Sequence, residues 1–272
     1  VSEFLELFSL TFMQRALVVA ILIGATTALI GSYVVLRGLA FIGASIAHAS
    51  FGGVVLGLLL GLNPLATAVV FCVGTGLGIS VVSESRRIRE DTVIGIAFAA
   101  TMALGIFLLG FLRDYVVDIF GFLFGDILAV TASDLWITLA LALGILGVIL
   151  LLYKEFMLIT FDWEAARAQG FPVRVLHALF MVLVALTVVI SLKVVGIILV
   201  SALLVIPAAT AQQLAHDLKG MQLLAVLFSL IATIGGLLLS YLLDTPSGAT
   251  IVLLATVIFF AVWCWRSITA SG

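Results

Sequence analysis

Charge is scarce in this chain. Asp, Glu, Lys and Arg make up 10% of its 272 residues, against about 25% in an ordinary soluble domain. With 64% hydrophobic residues and a mean hydropathy of +1.41, it has too little polar surface to cover a water-soluble core. A formal net charge of −2 leaves no basic patch of the kind nucleic acid requires, which excludes that partner. Cysteine is nearly absent: Cys72 and Cys264 both lie in apolar segments and are too few for a disulfide framework. There is no G-x-x-x-x-G-K-[ST] phosphate loop, no H-E-x-x-H zinc helix and no G-x-S-x-G nucleophile elbow. A self-contained ATPase, metalloprotease or esterase is therefore not expected. The opening stretch "VSEFLELFSLTFMQRA" starts acidic and lacks a basic head with a small-residue cleavage pattern. It is expected to lie at a membrane interface over residues 1–14 and not to act as a signal peptide.

What the chain does have is long apolar runs. Broken at charged and Gly/Pro-rich points, they fall near 17–36, 41–61, 65–82, 92–112, 134–153, 173–192, 194–214, 221–243 and 249–265. Each can cross a hydrocarbon slab of about 30 Å as a helix. The fold class is all-α and polytopic, a single membrane domain over 1–272 with about nine helices. Eight remain possible, because Ser191-Leu192-Lys193 is a very tight turn. The stretch 113–133 is apolar but carries Asp118 and Asp126, and is expected to be an interfacial or re-entrant element packed against protein.

Basic residues set the orientation. With the N-terminus outside, Arg37, Arg86, Arg87, Arg89, Lys154, Arg167, Arg174, Lys219 and Arg266 lie inside, and Arg15, Arg113 and Lys193 outside. That places 83–91, 154–172 and the C-terminus in the cytoplasm of an inner or plasma membrane, and 244–248 outside. Ala49, Gly53, Gly57 and Gly61 repeat every four residues, as do Gly74 and Gly78, and both stripes are expected to allow close helix packing.

Three polar features stand out. In "TFDWEAARAQGFPVRV", Asp162 can cap a short helix with Glu164 in its first turn, Ala165 and Ala166 favour that helix, and Gly170 with Pro172 stops it. In "ESRRIREDTVIGIAFA", arginines and acids precede a helix that Asp91 or Thr92 can cap, fitting either lipid anchoring or contact with a partner. In "FIGASIAHASFGG", His48 stands among small apolar residues, with Ser45 one turn before it on the same face. An ionisable group inside a membrane marks a transport path unless it is merely a neutral imidazole satisfied by Ser45 or a carbonyl.

"FIGASIAHASFGGVVLGLLLG", "REDTVIGIAF", "FLFGDILAVTASDLW", "SLKVVGIILVSALLVIPAATA" and "DTPSGATIVLL", in this order, resemble the metal-uptake ABC transporter permeases, membrane subunits of zinc and manganese importers. The resemblance covers residues 15–260. It implies a transport subunit that is not itself an enzyme, a homodimer with two cytoplasmic ATPase subunits and an extracytoplasmic metal-binding protein that delivers the ion. The pattern E-A-A-x-x-x-G matches the loop by which such permeases dock on the ATPase, which would give Asp162, Glu164, Ala165 and Gly170 that role. No permanently bound cofactor is implied; zinc or manganese is cargo. Where the family commonly reads G-D-x-[IL]-[AS]-H-A, this chain has Gly43-Ala44-Ser45-Ile46-Ala47-His48-Ala49, so the histidine carries over and the acid does not.

Pro207 removes a backbone donor and frees the carbonyl of Leu203, either as a packing kink or as a half-broken helix lining the path. Asp118, Asp126, Asp134 and Asp244 fall on the outer side, as cation guides, docking acids or simple helix caps. An iron–siderophore or cobalamin permease and an ion-coupled secondary carrier are the alternatives. Single-cysteine labelling in a background lacking Cys72 and Cys264 tests the topology. A cysteine at position 167 should resist an impermeant reagent added outside intact cells, and labelling there would invert the orientation.

Overall fold

The structure is a computed structural model that describes residues 11–84, 88–112 and 130–270. The expectations for residues 1–10, for Arg86, Arg87 and Arg113, and for Asp118, Asp126 and most of 113–133 lie outside the described residues. What is described is helical, with no strand among the described residues. In order the helices are α1 (Thr11–Leu36), α2 (Ile42–Leu60), α3 (Pro64–Ser83), α4 (Glu90–Leu109), α5 (Ala132–Leu151), α6 (Tyr153–Phe161), α7 (Trp163–Ala168), α8 (Val173–Gln212), α9 (Leu218–Leu243) and α10 (Ser247–Ala270). α8 holds two spans, Val173–Leu192 and Val195–Gln212, so nine segments among the described residues are long and apolar enough to cross a membrane.

The helix ends follow from local chemistry. Asn63 caps α3 by accepting from the Leu65 and Ala66 N–H groups, with Pro64 at the first helical position. Asp217 caps α9 through the Gly220 N–H. α4 corrects the expected cap at Asp91 or Thr92. Extended Arg89 occupies the cap position without a side-chain bond, and Glu90 and Asp91 sit in the first turn, where a negative charge meets the positive helix end. Within α1, Thr26, Thr27 and Ser32 are buried and return their hydroxyls to the Leu22, Ile23 and Ala28 carbonyls, so these three hydroxyls are satisfied within the helix.

The chain divides into two compact units. One comprises the described parts of Val1–Ser32, Phe120–Leu146 and Ile190–Gly272. There Gly24 lets Ser229 of α9 donate to its carbonyl at 2.9 Å, and Gly236 meets the backbone of Ile251 on α10. Gly31 lies so close to the Leu204 carbonyl that any side chain at position 31 would collide with it.

The other unit comprises the described parts of Tyr33–Ile119 and Gly147–Val189. Its centre is a helical hairpin of α2 and α3 with α4 laid against α2. Phe51 and Gly52 of α2 meet Gly105 of α4, and Cys72 of α3 donates to the Ile46 carbonyl. At its α7 end Tyr33, Phe156 and Phe180, each almost fully buried, pack ring to ring with centroids 6.0–6.3 Å apart.

Half of the small-residue expectation is corrected. On α2 the stripe is real: a Cβ on Gly53 would stand 2.7 Å from the Ala68 Cα, and Gly57 is pressed on Pro64 and Thr67. On α3, Gly74 and Gly78 have nothing within 4 Å; Gly76, on another face, packs on the Met181 carbonyl instead. Spacing gives a stripe but cannot say which stripe meets a helix. Gly53→Ala should therefore lower stability by about 1–3 kcal/mol through overpacking. Gly74→Ala should be neutral or slightly stabilising, since alanine is the better helix former. Thermal unfolding of the detergent-solubilised protein compares the two, and equal effects would discount the α2–α3 contact.

Candidate translocation histidine and docking helix

His48 lies in the middle of α2, half-buried, and its ring orientation is set by two neighbours. Nδ1 stands 2.8 Å from the Ala44 carbonyl, one turn back. A carbonyl can only accept, so the proton sits on Nδ1, and in the neutral ring Nε2 keeps its lone pair. The Phe98 ring of α4 meets the imidazole edge-on, with centroids 4.7 Å apart. Nε2 has no hydrogen-bond partner among the described residues. This is the tautomer a metal-ligating histidine needs, its second nitrogen anchored on a backbone carbonyl.

Ser45 does not join it. Its hydroxyl is buried and donates to the Ile94 carbonyl of α4 at 3.2 Å, which corrects the expectation that it faces the same space as the imidazole. The reason is that a hydroxyl in an apolar bundle takes the nearest carbonyl, here across the helix interface. With Ala44 in place of an acid, no group of three or more His, Cys, Asp or Glu residues able to hold a metal occurs among the described residues. One copy of the chain thus offers a single imidazole.

Of the outer acids, Asp134 and Asp244 fall within the described residues, and both stand at helix ends. Asp134 accepts from the Thr131 N–H and hydroxyl, while the Asp134 N–H returns to the Thr131 hydroxyl, a capping box that starts α5. Asp244 ends α9 in a left-handed conformation with φ 52°, its N–H on the Ser240 carbonyl. A short polar side chain tolerates that geometry. Pro207 also differs from expectation. The helix runs on through it to Gln212, and the non-helical backbone lies at Gly196, with φ 77° and ψ 169°. Only glycine readily adopts that region, so the break near 191–193 falls a few residues later, at the residue without a Cβ.

The docking stretch has the expected form with one addition. Asp162 accepts from the Ala165 N–H at 2.8 Å and caps α7, Glu164 is exposed in the first turn, and Ala166 is buried. Gly170, with φ 84°, stops the helix, its N–H on the Arg167 carbonyl. The addition is α6, which precedes α7 and buries Phe156 and Ile159. Beside α7, a cavity of about 450 Å³ opens between Trp163, Arg167, Pro172 and Arg174. Arg174 closes one side by pairing with Glu84 at 2.8 Å, an exposed contact of small energetic weight.

Behind α7 is a cluster that sequence inspection missed. Arg37, just past α1, donates from Nε to the Thr160 hydroxyl at 3.1 Å and places its guanidinium 4.4 Å over the Phe180 ring. Its Nη1 lies 3.3 Å from Nδ1 of His177, whose Nε2 stands 3.2 Å from Glu90 Oε1. Burial draws the Arg37 pKa down to about 10 while nearby Glu90 opposes the shift, so the group stays charged at neutral pH. The available signal was a histidine inside the apolar run "VRVLHALF", the same kind of anomaly that drew attention to His48.

The wider comparison agrees with this anatomy. Residues 9–266 match the ABC 3 transport family. The chain belongs to that family. It is 43% identical over 254 residues to the manganese transport system membrane protein MntC of Halalkalibacterium halodurans, covering 93% of this chain and 87% of that protein. It is 38% identical over 260 residues to the manganese import system permease protein ScaB of Streptococcus parasanguinis, covering 95% and 92%. A chain of the PsaBC structure from Streptococcus pneumoniae, solved in complex with Fab, superposes with a TM-score of 0.84 at 36% identity, covering 96% of this chain and 95% of that one. The permease fold therefore extends over almost the whole sequence.

Proposed function

We propose that this chain is the permease subunit of an ABC importer that carries a divalent transition metal, manganese or zinc, inward across a cell membrane. The observation that carries the reading is the similarity of nearly the entire chain to manganese transport permeases. α7 also supports it: a capped helix of six residues between membrane spans suits a groove in a cytoplasmic ATPase. In this reading residues 1–272 form one permease domain. The N-terminus is outside and the C-terminus in the cytoplasm, and a second copy completes the pathway. An extracytoplasmic metal-binding protein supplies the ion, and no cofactor stays bound. ATP binding moves α7, and the permease switches access by rigid-body rearrangement.

The physics of His48 shapes the cargo step. The idealised cost of moving a monovalent ion from water to a medium of ε about 4 is of order 20 kcal/mol, and it grows with the square of the charge. A dication facing imidazoles without a carboxylate cannot be held dry. The pathway at His48 is therefore hydrated, the two copies each present one Nε2, and the ion keeps most of its water during a short stay. Manganese and zinc both accept imidazole, and weak binding suits passage.

Two mutational outcomes test this. Glu164→Arg or Gly170→Val should leave a folded permease that transports poorly, because a reversed charge on an exposed helix costs little stability while it spoils the fit to a partner. Co-purification of the ATPase and metal carried per ATP are the readouts, and full coupling in an assembled Glu164→Arg complex would remove the docking role. His48→Ala should lower manganese uptake by about tenfold or more without loss of assembly, while Ala44→Asp should increase manganese retained by the purified permease. Unchanged uptake in His48→Ala would take His48 off the pathway.

A further inference from the structure

The α7 helix and His48 are joined by one continuous set of contacts. Trp163, the first residue of α7, meets the ring of His177 edge-on, with centroids 5.6 Å apart. His177 is 5% exposed and stands between opposite charges: Arg37 Nη1 at 3.3 Å from Nδ1 and Glu90 Oε1 at 3.2 Å from Nε2. Arginine can only donate, so Nδ1 accepts, and a neutral ring then carries its proton on Nε2, toward Glu90. This is the opposite tautomer to that of His48.

Glu90 is the first residue of α4, and the next two residues on the same face are those that meet α2. The Ile94 carbonyl accepts from Ser45, and the Phe98 ring meets the His48 ring. Positions 90, 94 and 98 are spaced by four and form one stripe along about 12 Å of helix. A helix of that length moves as a rod. A displacement of the α4 backbone at Glu90 would therefore reach Ser45 and His48.

The cluster is also incompletely satisfied. Arg37 Nη2 and Glu90 Oε1 are both buried without a hydrogen-bond partner; His177 approaches Glu90 at ion-pair distance but without hydrogen-bond alignment. A buried donor and a buried acceptor of opposite charge, kept apart by a ring, lose free energy that direct pairing would recover. Moving the ring opens that alternative. A cavity of about 330 Å³ lined by Trp163, His177, Glu90 and Glu84 gives the ring and carboxylate room to shift.

We propose that His177 is a positioning residue that relays displacement of the docking helix, through Trp163, to Glu90 and along α4 to the His48 site. It touches neither nucleotide nor metal; it sets how far a movement of α7 reaches the pathway. The relay rests on the docking reading of α7, and the test separates the two.

The test uses the permease assembled with its ATPase in proteoliposomes, measuring manganese carried per ATP hydrolysed and the ATPase that co-purifies. His177→Phe keeps a ring against Trp163 but loses both polar contacts. It should assemble normally, hydrolyse ATP and carry about tenfold less metal per ATP, in line with the upper range of coupling changes at residues remote from both ligands. A native ratio in His177→Phe overturns the relay. Should His177→Phe fail to assemble, Glu90→Gln, which keeps shape and removes charge, serves instead: a lowered ratio supports the relay and a native ratio overturns it. Loss of co-purification in Glu164→Arg reports on docking alone, whereas His177→Phe is expected to retain the ATPase.

Discussion

A guanidinium cannot shed its proton to escape burial, and the unit at the α7 end is arranged around that constraint. Arg37 sits just beyond the first span, and the surrounding structure answers its charge with a hydroxyl from α6, an aromatic face from α8, an imidazole nitrogen and a nearby carboxylate. Removing one partner of such a group commonly costs several kcal/mol, because the remaining charge is left buried and unpaired. The partners come from α4, α6 and α8. By satisfying one cation, the chain fixes the positions of three elements and sets α7 against their junction.

The two spanning-segment histidines show how the same side chain takes opposite roles. His48 faces a carbonyl and is left with a bare Nε2; His177 faces a cation and is left with a donor toward a carboxylate. The first arrangement suits transient contact with a hydrated dication. The second suits a structural link, since protein groups stand at both nitrogens, Arg37 at 3.3 Å and Glu90 at 3.2 Å. Their separation in role follows from which partner lies one helix away, and α4 carries a partner of each: Phe98 for His48 and Glu90 for His177.

Much of this architecture was legible in the residues. The nine apolar segments, the Asp162 cap, the exposed Glu164 and the stop at Gly170 all depend on forces acting within a few residues: burial of apolar runs, satisfaction of helix-end N–H groups, and the absence of a Cβ. The acids were harder to assign. A carboxylate near a helix end serves equally as a cap or as a cation guide; the structure adds the hydrogen bonds by which Asp134 caps α5 and the left-handed backbone with which Asp244 ends α9. Pro207 advertised a break that the chain made at Gly196 instead, because a proline within a helix forfeits one bond whereas a φ of 77° is open to glycine.

By itself, then, the sequence determined which segments are long and apolar enough to cross a membrane, where the short helix α7 starts and stops, and that His48 needed a purpose. Tertiary structure decided which faces meet. Gly53 is pressed on α3 while Gly74 is free, Ser45 turns to the Ile94 carbonyl and away from His48, and residues 37, 90 and 177 converge from three parts of the chain. In a chain this uniformly apolar, every helical face is hydrophobic enough to be buried, so periodicity cannot choose among them. The choice falls to close backbone approach and to the need of each buried polar group for a partner on another helix.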